Sequence, residues 1–209
     1  MVFAALTETA PEQRSRSDWE QIGRTLATIH QARAGRFGLE SAGYFGPLAQ
    51  DNRPVPGNTW AEFYAERRVL PWLRTATDAG HVPIDDAHRI DRILTRLEVL
   101  AGPEPEPTLL HGDAQHHNLV STPGSAVVID ASPYYGHPEI DLALVDYFTA
   151  VPPALFAAYA EIAPIDPGFT QRRELWRIFA YLGVLTVSRD DPWGRSFRGR
   201  LTDAVNLYT

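Results

Sequence analysis

Apolar positions recur at a spacing of three and four over much of the chain, and at a spacing of one or two only in a short middle stretch. That pattern predicts a mostly helical protein with a small β element. Ser17-Asp18-Trp19-Glu20 reads as a capping box, after which Trp19, Ile22, Leu26 and Ile29 mark one face of a helix ending near Gly35. Thr59-Trp60-Ala61-Glu62 reads as a second box. It opens a helix whose Trp60, Phe63, Tyr64, Leu70 and Leu73 share a face, with a kink expected at Pro71.

A third helix is predicted from Asp85 to Leu100 on Ile90, Ile93, Leu94, Leu97 and Leu100, and is ended by Gly102-Pro103-Glu104-Pro105-Glu106-Pro107. Short apolar runs at 108–110, 119–120 and 126–129 read as strands. Pro138 suits the first turn of a helix carrying Ile140, Leu142, Ala143, Leu144 and Val145, apolar on nearly all faces and so expected to be buried. Helices over about 153–162, 170–187 and 196–208 complete an α-rich second half, with turns at 164–168 and 190–194. No internal repeat or domain linker interrupts the chain.

Between Gly35 and Gly57 lies a long connection rich in Gly, Pro and Asn, of a length that is commonly functional inside a compact domain. Gly35, Gly38, Gly43 and Gly46 match neither a dinucleotide fingerprint nor a P-loop and read as turns. Val2-Phe3-Ala4-Ala5-Leu6 is the only β-like run ahead of the first helix.

Composition narrows the class. With 209 residues, 44% of them hydrophobic, the chain has enough apolar content for one sizeable core or two small ones. A net charge of −7 argues against a nucleic-acid or anionic-membrane surface, and no apolar run approaches a membrane span. The absence of cysteine excludes thiol chemistry and disulfides, and the N-terminus has no signal-peptide pattern, so a cytoplasmic protein with a small polar partner is expected.

The candidate chemistry is concentrated in one stretch. His111-Gly112-Asp113 follows the run Thr108-Leu109-Leu110, Asn118 comes five residues after Asp113, and the run ending at Ile129 delivers Asp130. Strand, loop, strand would let Asp113, Asn118 and Asp130 converge. Phosphoryl transfer needs a carboxylate to orient and deprotonate the acceptor hydroxyl, and oxygen ligands for Mg²⁺. In protein kinases the order is Asp, four residues, Asn, then a downstream metal-binding Asp. Here Gly112 replaces the arginine of H-R-D, and no D-F-G follows Ile129. His111 reads as a residue that holds the loop together. His116, His117 and His137 invite a zinc reading, which the lack of cysteine and the adjacency of two of them disfavour.

With HGD-x4-N, then ID, then YYGHPEIDLA, the stretch resembles the aminoglycoside phosphotransferase-like superfamily of small-molecule kinases. Within it, YYGHPEIDLAL, Asp166-Pro167-Gly168-Phe169, and RFGLESAGYFGPLAQDN followed by TWAEFYAERRVLPWLR are similar to the fructosamine kinase (ketosamine 3-kinase) family, over about Trp19 to Tyr181. The resemblance implies an α+β, mostly helical, kinase-like C-lobe. It implies Asp113 as catalytic base, Asn118 and Asp130 as Mg²⁺ ligands, Asp141 as a buried carboxylate bracing the catalytic loop, ATP as phosphate donor and a ketosamine as acceptor. An aminoglycoside-like acceptor fits the same three residues.

All 19 basic residues are arginine. Kinases of this kind hold the nucleotide phosphates with an N-lobe lysine, and no lysine is present. In the family, Val2–Leu6 resembles the hinge strand, so the chain reads as beginning where a C-lobe begins, either as a fragment or as a mis-started gene. Two expectations follow: a binding or scaffold protein without turnover as the alternative function, and self-association through the face an N-lobe would cover, with Val2–Leu6 as an unpaired strand edge.

Overall fold

The computed structural model describes residues 7–188 and 191–209. The strand expected at Val2–Leu6 lies outside the described residues. After a 3₁₀ turn at Pro11–Gln13, helix α1 runs Arg16–Ile29 and buries Trp19, Ile22, Leu26 and Ala27. Its start differs from expectation. Ser15 is the N-cap, accepting from the Asp18 N–H, while Asp18 accepts from the Ser15 N–H at 2.8 Å. Two overlapping boxes compete at this point, and Asp18 settles the competition by also accepting the Ser121 hydroxyl at 2.8 Å from a distant strand.

The long connection contains an unpredicted hairpin, β1 (Gly43–Phe45) against β2 (Leu48–Gln50), antiparallel with Tyr44 opposite Ala49. Helix α2 (Trp60–Tyr64) opens at Thr59, whose hydroxyl accepts the Glu62 N–H at 3.2 Å. The proline-rich link returns to this end, where Glu104 accepts the Trp60 N–H at 2.7 Å.

A π-helical turn, Ala65–Val69, leads into α3 (Leu70–Asp78) and takes the place of the kink expected at Pro71. Proline has no N–H to offer the carbonyl four residues back. That carbonyl, on Arg67, accepts instead from the Arg68 guanidinium at 3.0 Å. The wide turn also rotates the inward face by one position, so that Arg68 and Val69 are buried where the plain helical spacing would have put Leu70.

The third predicted helix is two, α4 (Ile84–Leu94) and α5 (Leu97–Leu100), broken at Thr95-Arg96. Strand β3 (Thr108–Leu109) enters the site. A second hairpin pairs β4 (Leu119–Thr122) with β5 (Ser125–Val128), and β6 (Tyr135–Gly136), which carries too little pattern to be predicted, pairs antiparallel with β3.

Helix α6 (Glu139–Leu144) is buried at every position, including Glu139 and Asp141. Glu139 is compensated by Arg172 at 2.6 and 3.0 Å and by the Trp176 indole N–H at 2.6 Å. Helices α7 (Pro153–Ala160), α8 (Phe169–Val187) and α9 (Pro192–Asn206) follow. The last begins four residues before the expected Ser196 because Asp191 caps it, accepting the Gly194 N–H at 2.7 Å.

The core lies around α8, against which α3, α6 and α9 pack, while α1 crosses α7. That crossing is close: a Cβ on Gly23 would collide with the Leu155 carbonyl. Among the described residues no helix is long and apolar enough to cross a membrane.

Candidate active site

The loop between β3 and β4 is tied down at both ends. The Leu110 N–H donates to the Tyr134 carbonyl at 2.9 Å, and the Ser132 N–H to the His111 carbonyl at 2.8 Å. Gly112 sits at φ +82°, and a Cβ there would run into the Ser132 carbonyl, so the turn that presents Asp113 accommodates glycine and excludes larger residues. Beneath it the Asp141 carboxylate, fully buried, accepts the His111 N–H at 2.6 Å and the Gly112 N–H at 3.0 Å. The same carboxylate meets His30 Nε2 at 3.0 Å, and His30 Nδ1 lies 2.7 Å from the Tyr159 hydroxyl. Since a carboxylate only accepts, Nε2 carries a proton and donates it to Asp141.

His111 links two loops. Its Nδ1 accepts the Asp113 N–H at 3.2 Å, and its Nε2 donates to the Ile129 carbonyl at 3.0 Å, one residue before Asp130. The Ile129 N–H in turn donates to the Asn118 backbone carbonyl at 3.0 Å. Through these bonds the segments bearing Asp113, Asn118 and Asp130 are held side by side. All three line one cleft of about 610 Å³ together with Gln115 and Ser132. The strand itself stops at Val128, two residues short of Asp130, which takes a left-handed conformation at φ +51°.

Within the cleft the three side chains differ. Asp113 is 8% exposed, and burial pushes its carboxyl above the usual aspartate value against the opposing pull of hydrogen bonds from Gln115 and Asn118 and the nearby His111. The Gln115 amide donates to its two oxygens at 3.3 and 3.4 Å. The Asn118 amide nitrogen donates to the Asp113 backbone carbonyl at 2.9 Å and to Asp113 Oδ2 at 3.2 Å, which leaves the Asn118 Oδ1 as an acceptor. Asp130 is exposed and makes no hydrogen bond or ion pair among the described residues.

An amide oxygen and a carboxylate, in a cleft with two acidic side chains and no basic one among its described lining residues, fit a hard dication such as Mg²⁺. The histidines considered for zinc lie differently: the His116 and His117 rings lie 3.9 Å apart, tilted by 37°, while His137 packs against Trp176 at 5.2 Å.

The matching family model is that of the fructosamine kinases, and it spans residues 3–188. The chain belongs to the fructosamine kinase family. It is 34% identical to a probable ketoamine kinase of Synechocystis, over 78% of this chain and 55% of that protein. It is 31% identical to a probable ketoamine kinase of Thermus thermophilus, over 97% of this chain and 70% of the relative. A chloroplastic protein-ribulosamine 3-kinase of rice is 32% identical over 93% of this chain and 55% of its own length. The crystal structure of a candidate fructosamine-3-kinase from Thermobifida fusca superposes with a TM-score of 0.87 at 34% identity, covering 98% of this chain and 68% of that one. The chain thus spans about half the length of the Synechocystis and rice relatives.

Two residues at this site escape sequence reasoning. Gln115 carries no motif signal beyond standing two places after Asp113. His30 had a faint one, since it falls four residues after Leu26 on the buried face of α1.

Proposed function

We infer that the chain takes part in ATP- and Mg²⁺-dependent phosphorylation of a hydroxyl on a ketosamine. The observation that carries this reading is the convergence of Asp113, Asn118 and Asp130 on one cleft in a chain of this family. Asp113 accepts the acceptor hydroxyl proton as that oxygen forms its bond to the γ-phosphorus; the bond from phosphorus to the β,γ-bridging oxygen breaks, and ADP leaves. Gln115 and Asn118 fix the direction in which the Asp113 oxygens point. Asn118 Oδ1 and Asp130 would hold the ion, which when bound neutralises charge on the phosphate oxygens. His111 and Asp141 keep the two loops in register.

A second reading, a binding or scaffold protein without turnover, is favoured by the absence of any lysine to hold the nucleotide phosphates. Phosphate transfer from labelled ATP to a small fructosamine, run on this chain and on Asp113→Asn, separates the two. Transfer that disappears with the substitution supports the kinase reading; no transfer by either chain supports the other. Transfer that survives Asp113→Asn removes Asp113 as the base.

A further inference from the structure

Beside Asp113 a second and smaller pocket opens, lined by Gln115 as well but by neither Asn118 nor Asp130. Asp113 and Gln115 line both spaces. Otherwise the two differ in character. The smaller one, about 140 Å³, is walled by Phe45 and Leu48 of the β1–β2 hairpin, by Tyr147 and Phe148 beyond the end of α6, by Val184 and Val187 of α8, and by Trp193 of α9.

The walls are held in place. Phe45 is packed against Trp72 at 5.6 Å and Phe179 at 5.3 Å, and Trp193 against Phe197 at 4.9 Å, so the apolar faces exist before anything binds. A cavity of about 150 Å³ lined by Leu, Ile and Phe takes up benzene. The volume here therefore corresponds to one six-membered ring or a branched aliphatic group.

We propose that this pocket receives a ring-sized apolar substituent on the amine of the acceptor, while the sugar hydroxyl faces Asp113 in the larger cleft. The inference rests on the ketosamine reading given above and names the kind of ketosamine: one formed from a compact apolar amine. Geometry limits the choice. The two spaces meet at Asp113 and Gln115, so an acceptor that places its hydroxyl at the base extends its other end into one of them. The metal-binding groups occupy the larger cleft, and the smaller one carries apolar walls beyond its shared polar edge. A charged or heavily hydroxylated substituent would lose water there and find few polar side-chain groups beyond that edge, the Tyr147 hydroxyl among them.

The experiment is a calorimetric titration of the 209-residue chain with three probes: the fructosamine of benzylamine, the fructosamine of 3-aminopropane-1,2-diol, and benzylamine itself. It is repeated on Val187→Glu and Trp193→Ala. Both positions are about half exposed, which spares the core. The expected result is about tenfold or greater preference for the benzylamine derivative over the diol derivative, lost in both variants. Equal affinity for the two fructosamines, or a preference that survives both substitutions, overturns the pocket assignment and leaves the ketosamine reading standing. Binding of benzylamine alone, lost in both variants, with neither fructosamine binding, upholds the pocket and overturns the ketosamine reading. No binding of any probe overturns the proposal.

Discussion

The Asp141 carboxylate accepts the His111 backbone N–H at 2.6 Å from thirty residues away, so α6 holds the turn that carries Asp113 from below. Asp141 also takes the Gly112 N–H and His30, and it is fully buried. Replacing one of its oxygens by an amide NH₂ turns an acceptor into a donor facing other donors. Asp141→Asn is expected to cost about 2–4 kcal/mol in urea unfolding, through unpaired buried N–H groups and the lost charge-assisted bonds. Any residual phosphate transfer should fall with it, and a variant as stable as the parent would count against the bracing role.

Gly112 supplies the next test. With φ at +82° and the Ser132 carbonyl against its α-carbon, Gly112→Ala adds both backbone strain and a clash. A loss of about 2 kcal/mol or more is expected, along with displacement of Asp113. The same change at Gly35, which has open space around it, should be close to neutral by thermal unfolding, and serves as the control.

Helices were legible wherever one face stayed apolar at helical spacing, as along α1 and α8, because burial of such a face sets both the element and its orientation. Where tertiary partners decided, local pattern misled. The start of α1 depended on Ser121 reaching Asp18 across the fold, and the inward turn of Arg68 depended on the π-helical residue ahead of Pro71. The two-residue strand at Tyr135-Gly136 has no period to read. At the site, Asp113, Asn118, Asp130 and Asp141 stood out because a motif spans them. His30 and Gln115 act through contacts that spacing does not encode.

Burial pushes the His137 imidazole down to about 3, with the neighbouring Arg172 adding to the effect, and its Nδ1 accepts the Glu139 N–H at 3.2 Å. His116 is lowered to about 4 by burial and by His117. A histidine with a depressed folded pKa leaves the unfolded chain binding more protons, so stability present above about pH 6.5 is lost as pH falls toward the folded values. Urea midpoints should therefore begin to drop below about pH 6.5, ahead of the carboxylate range. In His137→Gln this early drop should shrink by up to a few kcal/mol across the window from about pH 6.5 to 3. An unchanged pH profile would show that His137 takes up its proton without unfolding.

Asp113 should show the opposite sign, and with it a conflict between stability and chemistry. Its folded pKa is raised, mainly by burial, so the protonated form is favoured in the folded chain. A carboxylate raised in this way contributes stability that is fully present below its unfolded value near 3.8 and is lost as pH rises through the folded value. Asp113→Asn keeps the shape and removes the buried charge. It is therefore expected to be more stable than the parent at neutral pH and no more stable near pH 3, while any phosphate transfer drops by about 10²–10⁴-fold because an amide cannot take up the acceptor proton. Removing the Gln115 donor should raise the Asp113 pKa further, so the acid limb of the pH–rate profile in Gln115→Leu should move upward from that of the parent. Unfolding curves at pH 3 and 7, set beside pH–rate profiles, read both effects. An Asp113→Asn chain that is destabilised at pH 7, or a Gln115→Leu acid limb that moves downward, would mean that Asp113 is held as a structural carboxylate and not as a buried base.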